Sequence, residues 1–285
     1  GIAFNLGQDQ QSLVPTVDDL IEVFLAYFRQ PEMVHFFKEM ASAKAQGYLR
    51  PFTIDEDQSI GVTFPSNPSI RAVICRYDRY LGEPFNGVVI PTMVRAMGIN
   101  QTGCLKLGIN YLMSIKAIDL AKQILPDAAS ALFLDDNPWR DLRERSITEW
   151  DSSCCLIALK DGSVIKIPES NLILPSVTIQ GVVALLKQKG IPVSERHISY
   201  GELIEKVEAQ EVVTICSIGT AGILNRCHKL LLIDENHQLI AEHVAFEEHE
   251  LFPLLGTMKT SYWEMYQGKV ALPPGIRLEK YSLEA

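Results

Sequence analysis

The sequence has no Cys-x-x-Cys pair. Its six cysteines are scattered at 75, 104, 154, 155, 216 and 227, with one adjacent couple among them. Cys154 and Cys155 neighbour each other on a strand-like run, where alternate side chains face opposite ways, so they make a poor redox pair. The expectation is small core residues in a reducing compartment. An excess of positive charge is also missing: the net charge is −9, which argues against nucleic acid or an anionic membrane as the main partner. No apolar run reaches the ~20 residues that span a bilayer, and no leader pattern opens the sequence. A cytoplasmic protein is the expectation. Internal repeats and low-complexity tracts are absent too. With 285 residues, 47% of them apolar and 21% charged, the chain can fill one large domain or two moderate ones.

The polar, Gln-rich start, Gly1 to Pro15, carries no clear pattern. Thr16, with Asp19 three residues on, predicts a helix start, and Val17, Leu20, Ile21, Phe24, Leu25 and Phe28 form a one-sided stripe after it. Residues 31 to 47 fit neither helix nor strand cleanly. Tyr48–Ile54 and Ile70–Cys75 are strand-like. Turn formers cluster in Gly82-Glu-Pro-Phe-Asn-Gly87, which predicts an interdomain linker at 83–87 between a small domain, 1–82, and a large one, 88–285.

Beyond that point elements alternate. Gly87–Arg95 predicts a strand leading towards Lys106, with a helix over about 111–124. Ala131–Leu134 is a further strand, and Asp135–Arg145 a charged loop. Ser153–Leu159 and Ser163–Ile167 form a hairpin around a Lys-Asp-Gly turn. Thr178 opens a helix whose apolar face is Ile179, Val182, Val183 and Leu186, stopped by Gly190. Strands follow at Glu211–Cys216 and Lys229–Ile233, and a last helix runs through 255–266. His243 and His249, among Glu242, Glu247, Glu248 and Glu250, fit no standard zinc spacing and predict a solvated acidic face.

Four separated segments carry complementary chemistry: Lys106 with Tyr111, Ile147-Thr-Glu149, Leu174-Pro-Ser-Val-Thr178 and Gly219-Thr-Ala221. A lysine amine forms a Schiff base with an aldehyde. A carboxylate facing a pyridine nitrogen keeps it protonated and electron-withdrawing. The helix start at Val177–Thr178 and the close backbone of Gly219–Thr220 suit a phosphate dianion. Amine, carboxylate and phosphate cradle together are the needs of pyridoxal 5′-phosphate (PLP).

At these residues the sequence resembles the fold-type IV PLP enzymes (aminotransferase class IV), and within them the branched-chain amino acid aminotransferases. The resemblance rests on Lys-x-Gly-x-Asn-Tyr at 106–111, Ile-Thr-Glu at 147–149, Leu-Pro-x-Val-Thr at 174–178 and Gly-Thr-Ala at 219–221, in order and at similar spacing. It implies an α+β, two-domain fold of the D-amino acid aminotransferase type. The small N-terminal α+β domain would lack the family's first strands, and the larger mixed α/β domain would be barrel-like, with Lys106 in the cleft. It implies transamination of branched-chain L-amino acids with 2-oxoglutarate or glutamate through a Lys106 Schiff base. Tyr111 would bond the cofactor's phenolic oxygen and Glu149 its ring nitrogen; Val177, Thr178, Gly219 and Thr220 would surround the phosphate, and Ala221 would help hold the substrate carboxylate. Tyr48-x-Arg50-Pro51 and Arg79-Tyr80-Leu-Gly82 resemble the family's substrate strand and turn, so Tyr48, Arg50 and Tyr80 would contact the substrate. A homodimer is implied.

Departures from the family pattern are equally visible. The glycine-rich Phe-Glu-Gly segment and the upstream phosphate-gripping arginine have no counterpart in Gly1–Pro15. Trp150 stands where glycine is preferred, Cys154 for asparagine or serine, Ser176 for glycine and Ile218 for a small residue; Trp150 would narrow the cavity or shift Glu149. Two rival readings share the cofactor motifs. One is a D-amino acid aminotransferase or aminodeoxychorismate lyase; the other is a catalytically inactive homologue serving as a binding or scaffold protein.

Overall fold

The computed structural model describes residues 6–57, 60–77, 81–98 and 102–283. The chain packs as two compact units, residues 1–80 with 279–285, and residues 81–278.

In the first unit, α1 (Val17–Phe28) starts as the Thr16–Asp19 pairing predicts. The Thr16 hydroxyl accepts from the Asp19 N–H, and the Asp19 carboxylate accepts from the Thr16 N–H. Its apolar stripe is only half covered, and Val17 is exposed. The ambiguous stretch after it is a second helix, α2 (Pro31–Ser42), with proline at its first position, where the missing N–H is harmless. Phe28 and Phe37 meet edge to face at 5.3 Å between the two helices. Then β1 (Gln46–Asp55) and β2 (Pro68–Tyr77) pair antiparallel, setting Tyr48 opposite Cys75 and Arg50 opposite Val73. The tail belongs here rather than to the larger unit: Arg29 donates to the Ser282 carbonyl at 3.0 Å.

The second unit is built on β3 (Phe85–Ile90), β4 (Ala128–Leu134), β5 (Ile147–Trp150), β6 (Cys154–Leu159), β7 (Val164–Lys166), β8 (Val193–Glu195), β9 (Val212–Gly219), β10 (Ile223–Ile233) and β11 (Leu239–Val244). The path β10-β3-β4-β5-β6 is closed by β9, which pairs with both β6 and β10, so the sheet forms a barrel. Around the strands lie α3 (Gly108–Ile124), α4 (Val177–Gln188), α5 (Tyr200–Glu208), α6 (Leu251–Gly256) and α7 (Met258–Tyr266). The barrel strands read as unbroken apolar runs because both faces are covered. α3 lays Ala117 and Ala121 on the outer face of β3 and β4, against Val88, Ile90 and Phe133.

Several expectations change. Residues 85–87 of the predicted linker lie inside β3, with Phe85 buried against Trp150. The strand expected to reach Arg95 stops at Ile90, because Pro91 has no N–H for the ladder. Lys106 therefore does not sit at a direct strand–helix junction; residues 91–107 intervene before α3. Arg145, expected in a charged loop, is fully buried, donating to the carbonyls of Pro91 at 2.7 Å and Asp135 at 2.6 Å. His243 is buried in β11 rather than on a solvated face, and burial lowers its pKa to about 4. Among the described residues no His/Cys/Asp/Glu group is arranged for a metal ion, and no helix is long and apolar enough to cross a membrane.

Candidate active site

The turn before α3 delivers Lys106. It is fixed from both sides: the Asn110 side-chain amide donates to the carbonyls of Thr102 at 2.9 Å and Leu105 at 3.0 Å. Residue 103 must be glycine, because a Cβ there would lie 2.5 Å from the carbonyl oxygens of both Met97 and Asn171. Lys106 itself is exposed, and its Nζ donates to Tyr111 Oη at 2.7 Å, with Tyr111 in the first turn of α3.

Glu149 projects from β5 with 3% of its surface exposed. Trp150, its neighbour, points to the opposite face by strand alternation. There it packs edge to face on Phe85 at 5.1 Å and donates Nε1–H to the Cys216 carbonyl at 3.0 Å. The tryptophan thus fills the core on the face away from Glu149, over Gly87, where a Cβ would come within 2.7 Å of its ring.

Arg95 is the residue that sequence reasoning missed. Nearly buried, it donates Nη2–H to a Glu149 carboxylate oxygen and, at 3.0 Å, to the Leu172 carbonyl. The Leu174 N–H reaches Glu149 at 3.4 Å. Burial pushes the Glu149 carboxyl up to about 7, against the opposing pull of Arg95, Leu174 and nearby Lys106.

This carries a pH dependence for the cofactor-free protein. Between its ordinary 4.5 and about 7, the folded chain holds a proton on Glu149 that the unfolded chain has released. The carboxyl's contribution to stability is therefore complete below about 4.5 and is lost as pH rises through about 7, at up to ~1.4 kcal/mol per pH unit. Glu149→Gln should flatten this slope. Urea midpoints near pH 5, 6 and 7 check it, and equal slopes in both proteins would refute it.

A third group gathers at the start of α4. Ser176 is the N-cap: its hydroxyl accepts from the Ile179 N–H, a role serine fills better than glycine. Thr178 is buried, with its hydroxyl 3.3 Å from that of Thr220. Thr220, Ala221 and Gly222 form the turn from Gly219, the last residue of β9, to Ile223, which opens β10. Ile223 holds φ 61°, a conformation a β-branched side chain rarely adopts, at a cost on the order of 1–3 kcal/mol. The flanking Ser153 and Ser217 hydroxyls meet at 2.6 Å. Ile218 and Cys154, both buried, pair across β9 and β6 as core residues.

The second unit thus brings Lys106 to Tyr111, Arg95 to Glu149, and Val177–Thr178 to Gly219–Thr220–Ala221. Tyr48 and Arg50 stand together on the first unit, where Arg50 Nη2 donates to Tyr48 Oη at 2.5 Å. Tyr80 lies outside the described residues.

No family model matches the chain. It is 26% identical over 182 residues to a probable branched-chain-amino-acid aminotransferase of Staphylococcus aureus (strain N315), covering 62% of this chain and 48% of that one. With branched-chain-amino-acid aminotransferase 5, chloroplastic, of Arabidopsis thaliana it shares 30% over 186 residues, covering 64% and 41%. The chain spans about half the length of the curated relatives it matches. Among solved structures, the branched-chain amino acid aminotransferase of Escherichia coli superposes with a TM-score of 0.63 at 20% identity, covering 90% of this chain and 73% of that one. The branched-chain aminotransferase of the archaeon Thermoproteus uzoniensis, solved with norvaline, gives 0.61 at 19%, covering 78% and 65%.

The chain has the fold of fold-type IV aminotransferases. Its resemblance to that class, first carried by four short motifs, holds in sequence and in architecture alike. Within this fold-type IV barrel, the lysine, carboxylate and threonine groups all lie in the larger unit.

Proposed function

We propose that the protein is a PLP-dependent aminotransferase that exchanges amino groups between branched-chain L-amino acids and the glutamate/2-oxoglutarate pair. The observation that carries this reading is the set of three groups in one unit: an accessible lysine bonded to a phenol, a buried carboxylate held by arginine, and facing threonine hydroxyls at a helix start. These residues fit PLP. Its aldehyde suits Lys106, its phenolic oxygen Tyr111, its ring nitrogen Glu149, and its phosphate Val177, Thr178, Gly219 and Thr220.

When bound, the cofactor would supply an electron-withdrawing ring that makes the amino acid's Cα proton acidic. Lys106 Nζ would take that proton and return it to the carbon on the far side of the amino nitrogen, as a general base and then acid. Glu149, oriented by Arg95, would hold a proton at the ring nitrogen. Ala221 N–H would support the substrate carboxylate. Tyr48, Arg50 and Tyr80 carry the substrate part of the reading, since an arginine beside apolar surface accepts an aliphatic side chain and pairs with a γ-carboxylate when one is present. The relatives' names support the branched-chain assignment. A cytoplasmic homodimer completes the proposal, supported by Ile109, Leu112 and Ile115, which α3 leaves exposed.

Reduction with borohydride in saturating PLP, followed by peptide mapping, should place the pyridoxyl label on Lys106. Leucine, isoleucine, valine and glutamate should each convert the bound cofactor's absorbance in half-reactions. Absence of label and of spectral change with every amino acid would favour the scaffold reading. Conversion by D-amino acids alone would favour the rival enzyme reading. Light scattering at micromolar concentration should give twice the chain mass.

A further inference from the structure

β7 and β8 pair in parallel, and their register sets Lys166 beside Glu195. Lys166 keeps only 6% of its surface exposed, whereas the Glu195 side chain keeps 53%. Lys166 Nζ donates to Glu195 Oε1 at 2.8 Å, and that carboxylate is the ammonium's one hydrogen-bond partner among the described residues. An ammonium carries three donors, so a nearly buried cation has two N–H bonds left for other acceptors. Leaving such donors unfilled is costly at this depth.

Lys166 and Glu195 line a cavity of about 490 Å³, within the ~300–1,000 Å³ range of small-ligand sites. α4 gives one wall: Val183, Ala184 and Lys187 lie three and four residues apart, on the side turned from its buried face. The stretch after α7 gives the other. Gly275, at φ 84°, bends it, the Ile276 N–H closes the turn on the Pro273 carbonyl at 3.1 Å, and Ile276 packs against core residues. The lining thus joins a buried cation to an aliphatic surface. A carboxylate suits the free donors of Lys166, with a short hydrocarbon body along Val183, Ala184 and Ile276. A dianion suits it less, because the Glu195 carboxylate stays beside Lys166.

We propose that this cavity is a binding site for a small aliphatic monocarboxylate, whose carboxylate takes the free donors of Lys166. It uses none of the residues assigned to PLP and stands or falls independently of that reading. Two sources share the chemistry: an aliphatic amino acid, whose ammonium would face Glu195, and the corresponding 2-oxo acid.

The test follows hydrogen–deuterium exchange of the full chain during titration with 4-methylpentanoate, and with 4-methylpentan-1-ol, which has the same body without the charge. The acid, at up to ~10 mM, should slow exchange in the peptides covering 183–188 and 274–278, and the alcohol should not. Lys166→Met should weaken this protection about tenfold or more, the worth of a charge-assisted hydrogen bond. Glu195 is half exposed, so it stays hydrated when the lysine is removed, and the fold should survive. Ala184→Trp fills the cavity while leaving the lysine in place, and it should abolish the protection; it decides alone should Lys166→Met fail to fold. Protection that survives both substitutions, or that the alcohol reproduces, overturns the proposal. So does a response confined to peptides around Lys106 and Glu149, which would leave the PLP reading standing without this site. Leucine and 4-methyl-2-oxopentanoate then separate the sources: tighter binding of leucine, lost in Glu195→Gln, supports the amino acid, and tighter binding of the 2-oxo acid supports the other.

Discussion

Lys106→Ala should abolish transamination of leucine and glutamate while leaving the fold untouched. The side chain is exposed, and its recorded partners are the Tyr111 hydroxyl at 2.7 Å and the same ring at 5.2 Å. Truncation therefore opens no cavity, and the stability change should stay within ~0.5 kcal/mol. The chemical loss is far larger. Removing a positioned base costs on the order of 10²–10⁴-fold in the proton-transfer step alone, and the covalent anchor disappears as well. Single-turnover absorbance measurements with saturating PLP should show this loss, and the borohydride label should vanish with it. Small primary amines added to the solution should restore part of the proton transfer, because Tyr111, Glu149 and the Thr178–Thr220 pair remain in place. Full activity in Lys106→Ala, or label on another lysine, would overturn the assignment. A variant that unfolds would contradict the exposure on which the expectation rests.

Local signals account for the part of the fold that was legible. The Thr16–Asp19 box, the Lys-Asp-Gly hairpin between β6 and β7, and the apolar face of α4 each rest on residues within a few positions of one another. α5 carries such a signal too: Ser199 caps it by accepting from the Glu202 N–H, with Leu203, Ile204 and Val207 buried. It escaped reading because nine residues between two strands also fit a loop. What no local pattern reveals is the partner of a charge. Arg95 closes the apolar run expected as a strand, and its carboxylate lies 54 positions away. Arg145 is held by Pro91, equally remote in sequence. Trp150 and Glu149 are adjacent letters with opposite fates, and only the closed barrel shows which face holds the tryptophan core and which the Arg95–Glu149 pair. His243 misled for the same reason: it is buried, and the charged groups felt by its ring are His228 and Lys160 rather than the carboxylates beside it in sequence.

The Arg95–Glu149 pair yields the largest expected effect on stability. Arg95→Leu keeps the volume roughly constant but strips Glu149 of the cation beside it, while the Leu172 carbonyl loses a donor. Breaking a buried ion pair from one side typically costs ~3–5 kcal/mol, because the remaining charge is left uncompensated. Glu149 can escape part of that cost by keeping its proton, since burial already lifts its carboxyl to about 7 and loss of Arg95 lifts it further. The sign follows. The folded variant holds that proton to higher pH than the wild type does, whereas the unfolded chain releases it near the ordinary 4.5 in both proteins. Arg95→Leu should thus cost least near pH 5 and most near pH 8, as measured by urea unfolding of the cofactor-free chain. Glu149→Gln should remove most of the penalty. In that background a neutral amide faces the leucine, and the double variant should be more stable at pH 8 than the sum of the single changes predicts, by about 2 kcal/mol. Costs that simply add, or a penalty independent of pH, would show that Arg95 stabilises the barrel through packing rather than by holding the carboxylate. Arg95→Lys separates the two further: it preserves the positive charge without the guanidinium fork, so it should recover the pH dependence but not the full stability.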